Sequence, residues 1–178
     1  GKDPLAGPLT LGVIYTIGPY LLPSLVRNLI DNVPQMPLVL QENFTVRLLE
    51  LLRQGELDAA IMALPLPEHG MSMQTLYDEP FVVATPKSHP WVGRGEVSAE
   101  DLKSETMLLL GNGHCFRDQV LEACPGQSNT ALPEGRAGSS LETIRNMVAS
   151  GLGVSVLPAS ALTARYASKL LKVVPFSS

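Results

Sequence analysis

Leu9-Thr10-Leu11-Gly12-Val13-Ile14-Tyr15 runs into Thr16-Ile17-Gly18-Pro19, and this junction decides the fold. The first part is a short apolar run that reads as a strand. Gly18-Pro19 then opens a helix to about Asn32, with Leu21, Leu22, Leu25, Val26, Leu29 and Ile30 at helical spacing. Pro23 is expected in its first turn, where proline is tolerated. Pro34 and Pro37 frame a loop before a second strand, Leu38-Val39-Leu40-Gln41-Glu42. A second helix is predicted from Thr45 to Gln54, with Thr45 or Asn43 as its N-cap and Gly55 as its stop. Asp58-Ala59-Ala60-Ile61-Met62-Ala63 is a third strand. Strands separated by single helices argue for a parallel sheet built from βαβ units.

The loop Pro65-Leu66-Pro67-Glu68-His69-Gly70 breaks this alternation, and a first crossing between two lobes is placed there. Gln74-Thr75-Leu76-Tyr77 and Pro80-Phe81-Val82-Val83-Ala84-Thr85 are both strand-like. Ser98 and Asp101 form an acidic variant of the capping box at the start of a short helix. Met107-Leu108-Leu109-Leu110 reads as a buried strand. Phe116, Val120, Leu121 and Cys124 fall at helical spacing. Ser139 and Glu142 predict a second capping box, opening a helix to about Ser150 with Leu141, Ile144, Met147 and Val148 inward and Gly151 ending it. Val154-Ser155-Val156-Leu157 is a strand, Ala159 to Leu170 is helix-like, and Leu171-Lys172-Val173-Val174 is a last strand. An α/β lobe that ends on a fresh strand looks unfinished.

The chain has 178 residues, 45% hydrophobic and 17% charged, a balance that suits one domain or two small lobes with real cores. No apolar run approaches the ~18 residues of a membrane span. Gly1-Lys2-Asp3-Pro4 carries no signal-peptide pattern and reads as an interdomain linker. A net charge of −4 with no strong basic block argues against DNA binding by this segment itself, since such surfaces are normally basic. Two cysteines are no extracellular disulfide framework, and a reducing cytoplasm is expected.

Both cysteines lie in Gly113-His114-Cys115-Phe116-Arg117-Asp118-Gln119-Val120-Leu121-Glu122-Ala123-Cys124. Nine helical residues rise ~13.5 Å and turn ~900°, which puts the two side chains on opposite faces. A disulfide needs Cα atoms within ~7 Å, so bonding them would take the helix apart. A thiol at a helix N-terminus meets unsatisfied N–H groups and the positive end of the helix dipole, which favour thiolate, as does the Arg117 cation. His114 could add charge or a hydrogen bond. Such a thiolate can attack a peroxide O–O bond and become a sulfenic acid, which a second thiol condenses to a disulfide. Cys115 suits the attacking role and Cys124, on the apolar stripe, the resolving one. The plainer reading leaves Cys124 as a small buried hydrophobe and Cys115 as a buried thiol at a helix start.

Zinc is poorly served by His114, Cys115 and Cys124, because structural zinc takes four ligands in tight pairs and His69 and His89 sit far off in sequence. Neither a metal nor a cofactor is expected. No nucleophile elbow, phosphate loop or dinucleotide fingerprint occurs. Thr16 and Thr45 follow the first and second strands at helix starts, where parallel sheets line ligand crevices. Each hydroxyl could hold a small polar ligand or simply cap its own helix. Met62 and Met107 read as core.

Gly113 to Gln119, Cys124 and Ser140-Leu141-Glu142-Thr143-Ile144-Arg145-Asn146-Met147-Val148 resemble the hydrogen-peroxide-sensing branch of the LysR-type transcriptional regulators. Thr16 to Pro23, Asp78-Glu79-Pro80 and His89-Pro90-Trp91 are similar to the same family. The resemblance implies an α/β fold of two Rossmann-like lobes of the periplasmic-binding-protein (LysR substrate-binding) type, joined by two crossover segments. Residues 1–8 would be linker, 9–80 and 162–178 lobe I, and 81–161 the redox-active lobe II. It also implies Cys115 as peroxidatic cysteine, Cys124 as resolving cysteine, and Thr16, Thr45, His114, Arg117 and Asp118 around the peroxide. The implied partners are hydrogen peroxide, a homodimer through this domain, a homotetramer of the full-length protein, and RNA polymerase. DNA would be met only through an N-terminal winged helix-turn-helix that this sequence lacks, and the closing C-terminal strand and helix of lobe I are also not seen. A non-enzymatic, cytoplasmic regulator of oxidative-stress genes is expected. A thiol peroxidase and a metabolite-binding effector domain are the alternatives.

Overall fold

The computed structural model describes residues 3–66, 70–127, 135–163 and 168–177. Contacts divide the chain into two compact units, Gly1–Met71 and Ser72–Ser178. In the first, β1 (Leu9–Ile14), α1 (Gly18–Asn32), β2 (Leu38–Asn43), α2 (Thr45–Arg53) and β3 (Ala59–Ile61) alternate as expected. The sheet order is β2-β1-β3 and every pair is parallel, with Leu11 beside both Leu40 and Ala59. Gly12 is required by packing: a Cβ there would lie 2.7 Å from both Leu48 Cδ2 and Leu57 Cδ1. Leu11, Val13, Ile14, Leu48, Leu49, Leu51 and Leu57 form the buried core.

Two helix starts differ from expectation. Pro19 occupies the first turn of α1, while Pro23 lies inside the helix, where its ring removes one N–H from the ladder. The N-cap of α2 is Phe44, with Thr45 already helical, and Asn43 instead accepts the Phe44 N–H through its own Oδ1 at 2.9 Å. Gly55 ends α2 as expected, in a left-handed conformation with φ of 74°. On α1 only Gly18 is fully buried and Ile30 is 58% exposed, so the apolar stripe is half-covered within this unit.

The second unit holds β4 (Phe81–Pro86), β5 (Val97–Ser98), α3 (Ala99–Leu102), β6 (Leu109–Leu110), α4 (Cys115–Ala123), β7 (Ala137–Gly138), α5 (Leu141–Ala149), β8 (Ser155–Pro158), a 3₁₀ turn (Ala159–Leu162) and β9 (Leu171–Ser177). Its larger sheet has the order β5-β9-β4-β8, with β4 antiparallel to both neighbours and β5 parallel to β9. The expected place of 162–178 in lobe I is thereby corrected. β9 pairs with β4 from Val82↔Pro175 to Pro86↔Leu171, which covers the free edge of β4 and buries Val83 and Val174. The lobe boundary also falls at residue 71 rather than 80.

Three further expectations are revised. Gln74 to Tyr77 form no strand, since they meet no ladder partner among the described residues, and Leu76 and Tyr77 are exposed. From Ala159 onward there is one 3₁₀ turn to Leu162 rather than a long helix, with 164–167 outside the described residues. The second expected capping box gives way to a one-sided cap, because extended Ser140 (φ −147°, ψ 163°), not Ser139, is the N-cap of α5 and accepts the Thr143 N–H. The box at Ser98 and Asp101 is present with both reciprocal bonds. No described helix is long and apolar enough to cross a membrane.

Candidate functional site

The redox segment is built from β6 outward. Leu109 and Leu110 pair in parallel with Ala137 and Gly138, which fixes the strand end beside the start of α5. The chain then turns through Gly113, whose φ of 97° suits glycine, and reaches His114 in an extended conformation as the N-cap of α4. Cys115 is therefore the first helical residue, with no side-chain cap over the helix start. It is a half-buried free thiol. The His114 Nε2 donates to the Ser139 carbonyl at 3.1 Å, which ties the residue before Cys115 to the turn opening α5.

Four residues of this segment separate cleanly by face. Phe116, Arg117 and Val120 are buried, and Asp118 is exposed. Phe116 meets Phe81 edge to face at 5.2 Å between ring centres. Arg117 is only 5% exposed, and its Nη1 donates to the Leu110 carbonyl at 2.8 Å. Two residues along a helix turn ~200°, so Arg117 points away from the Cys115 face and holds the end of β6 instead. The contact shown for this cation is the buried bond to the Leu110 carbonyl.

Cys124 caps the other end of α4, its N–H bonded to the Val120 carbonyl at 2.9 Å. It is a free thiol with no exposed surface, and burial pushes it up to about 11 from an ordinary 9.0. At neutral pH it is a protonated, inert group for as long as α4 stays intact. The two thiols thus stand at opposite ends of the nine-residue α4, Cys115 as its first residue and Cys124 as its C-cap.

Thr16 and Thr45 lie in the first unit. Thr16 follows β1 and is 8% exposed, and Thr45 is the first residue of α2. Both stand at the carboxyl ends of parallel strands, where ligands meet such sheets. Nearby, Glu42 is packed so closely on Gly18 that a Cβ there would lie 2.8 Å from its Cδ, and burial raises its carboxyl above the usual range. His89 is a structural residue: its Nε2 meets Glu105 Oε1 at 2.9 Å and its ring lies 4.7 Å from Trp91. His69 lies outside the described residues. Among the described residues no group of three or more His, Cys, Asp or Glu could hold a metal.

Two partners escaped the sequence reading. Ser139 serves through its backbone carbonyl, which carries no side-chain signal. Arg145 is 7% exposed, pairs with Glu142 at 2.9 Å and donates to the Ala161 carbonyl, anchoring α5 to the 3₁₀ turn. Its spacing from Leu141, Ile144 and Val148 did place it on the inward face of α5.

Residues 2–178 match the LysR substrate binding domain family. Among curated relatives, a probable hydrogen peroxide-inducible genes activator of Mycobacterium avium is 38% identical over 99% of this chain and 57% of that protein. The DNA-binding transcriptional dual regulator OxyR of Escherichia coli K12 is 41% identical over 90% of this chain and 52% of its own length. The chain thus spans about half the length of these relatives. Among solved structures, the reduced OxyR regulatory domain of Pseudomonas aeruginosa is 54% identical, with a TM-score of 0.88 over 99% of this chain and 85% of that one. An oxidised form of OxyR is also similar, at 39% identity and a TM-score of 0.81 over 96% of this chain and 80% of that one. With half-buried Cys115 opening α4 and sealed Cys124 closing it, the chain belongs to the LysR substrate-binding domain family, within its OxyR-type regulatory domains.

Proposed function

We propose that this chain is the redox-sensing regulatory domain of a LysR-type transcription factor, reading hydrogen peroxide through Cys115 and Cys124. The observation that carries the reading is the contrast across α4, with a half-buried thiol at the helix start and a fully enclosed thiol at its end. The Cys115 thiolate attacks one peroxide oxygen, an S–O bond forms, the O–O bond breaks, and the leaving hydroxide takes a proton to become water. Cys124 then attacks the Cys115 sulfur, and a second water leaves as the S–S bond forms. That second step requires α4 to unravel, because nine helical residues hold the sulfurs apart. The lost helix is the signal, a local redox event with a two-state element behind it.

Thr16, Thr45, His114, Arg117 and Asp118 serve peroxide binding in this reading, as the resemblance implies. The hydroxyl positions at strand ends and the His114–Ser139 tie support Thr16, Thr45 and His114. Arg117 acts by holding β6. A Corynebacterium glutamicum OxyR mutant solved with hydrogen peroxide bound, 38% identical to this chain, supports the ligand. The half-covered α1 stripe supports a homodimer, with a homotetramer in the full-length protein. DNA and RNA polymerase are met outside this domain, in the cytoplasm. The domain signals, activating oxidative-stress genes, and does not turn over as an enzyme.

Mass spectrometry after near-stoichiometric peroxide tests this reading. The expected product is a Cys115–Cys124 disulfide, with Cys124→Ser stopping at the Cys115 sulfenic acid and Cys115→Ser giving neither. Free thiols at both positions while methionines oxidise would sink it. Rapid steady-state peroxide consumption with a thiol reductant would point to a peroxidase instead.

A further inference from the structure

The C-terminal end of α4 does not simply stop. After Cys124 the chain makes a tight turn in which the Gln127 N–H reaches the Cys124 carbonyl at 3.2 Å. This turn is docked on α3. Gln127 Nε2 donates at 3.3 Å to the Leu102 carbonyl, which also takes the Glu105 N–H at 3.2 Å. Gly126, with φ of 100°, lies against the Lys103 side chain, whose Cδ and Nζ are 3.3 Å from where a Cβ would sit. The Lys103 stem is itself held at its tip by Glu100, 2.7 Å from Nζ.

The platform beneath the turn is firm. Leu102 is completely buried, Ser98 and Asp101 close both bonds of the capping box, and Arg94 meets Asp101 at 3.1 Å. The two contacts are independent of each other, since one is a side-chain hydrogen bond and the other is backbone packed on an aliphatic stem. Neither residue belongs to the chemistry described above. Moving Cys124 out of its enclosed position pulls on this turn, because only two residues separate the cysteine from the Gln127 anchor and the Gln127 N–H is bonded to the Cys124 carbonyl.

We infer that Gln127, docked on the Leu102 carbonyl of α3 beside the Gly126–Lys103 contact, is a latch that sets how readily Cys124 leaves the core to resolve oxidised Cys115. This rests on the proposed peroxide chemistry and adds a positioning residue to its second step. The step itself is unchanged: Cys124 sulfur bonds Cys115 sulfur, the S–O bond of the sulfenic acid breaks, and the thiol proton leaves with the hydroxide as water. The latch acts before that step, on the opening that exposes Cys124. The first step needs no such opening, so it is insensitive to Gln127.

The test is rapid-quench mass spectrometry of the full chain, following the Cys115 sulfenic acid and the disulfide separately. Gln127→Ala removes the donor, and Gln127→Glu keeps the length but also lacks it. Both should speed disulfide formation about 2- to 10-fold, the span of one ordinary hydrogen bond, and shift the thiol–disulfide equilibrium in a glutathione buffer by a similar factor. Sulfenic acid formation should stay at the parent rate. Parent-like resolution and equilibrium in both variants would overturn the latch. So would equal loss of thermal stability in the thiol and disulfide forms, which marks a merely structural contact. If the parent chain forms no disulfide at all, the proposed function fails, and amide exchange in the thiol form then judges the latch alone. Faster exchange at Cys124 and Gln127 in Gln127→Ala upholds it, and unchanged exchange refutes it.

Discussion

At the N-terminal end of α4, Cys115 is half-buried between His114 and the inward Phe116, with Asp118 exposed a turn away. At the C-terminal end, Cys124 has no exposed surface and is held as a neutral thiol by burial. The same side chain is thus accessible at one end of a helix and inert at the other. The difference teaches that reactivity is assigned by the ends of α4, while the helix between them keeps the two thiols from meeting. An attacking group needs access and polarity. A resolving group gains from being withheld until the first has reacted.

The comparison breaks most severely if the inward anchor of the Cys115 end is removed. Phe116→Ala deletes the edge-to-face contact with Phe81 and leaves a cavity, so chemical denaturation should report a loss of about 3–5 kcal/mol. A loss under ~1 kcal/mol would mean that α4 is not held from this side. The two thiols should next differ in alkylation. In the reduced native protein iodoacetamide should label Cys115 at least ~100-fold faster than Cys124 at neutral pH, read by peptide mapping. Comparable rates would erase the contrast.

A smaller effect follows from the raised Cys124 thiol. Its folded value, about 11, lies above its ordinary 9.0, so the native state keeps the proton longer than the unfolded chain does. Its contribution to stability is fully present below pH 9 and is lost as pH rises through 11, by about 3 kcal/mol in all. Melting temperatures of the thiol form over this window should fall more steeply than those of Cys124→Ala. Parallel curves would show that Cys124 ionises as easily folded as unfolded. The smallest effect concerns the support under His114. Ser140→Ala removes the cap of α5 next to Ser139 and should cost about 1 kcal/mol in thermal unfolding. No change would place the hold on His114 elsewhere.

Much of the first unit was legible in the sequence because its pairing is local. β1 and β2 are each followed by a helix, and β1 pairs with the two strands that come after it. The second unit was harder for the opposite reason. β4 pairs with β9, about ninety residues on (174 − 83 = 91 for Val83↔Val174), and no local pattern announces such a partner. The sequence pointed to Ser139 as the start of α5, and the extended backbone of Ser140 moves that start one residue on. The bond from Arg117 to the Leu110 carbonyl was not legible either, because a main-chain acceptor on another element carries no side-chain signal.

By itself the sequence determined the cysteine spacing, the helix that spans it and the βαβ order of the first unit. These follow from side-chain periodicity and glycine punctuation, which are properties of neighbours along the chain. Only the tertiary structure decided that Cys124 is completely sealed, that Arg117 holds Leu110, and that Gln127 is docked on α3. Burial and hydrogen bonding between distant segments depend on which surfaces meet once the chain has packed, and one sequence window holds only one of the two surfaces.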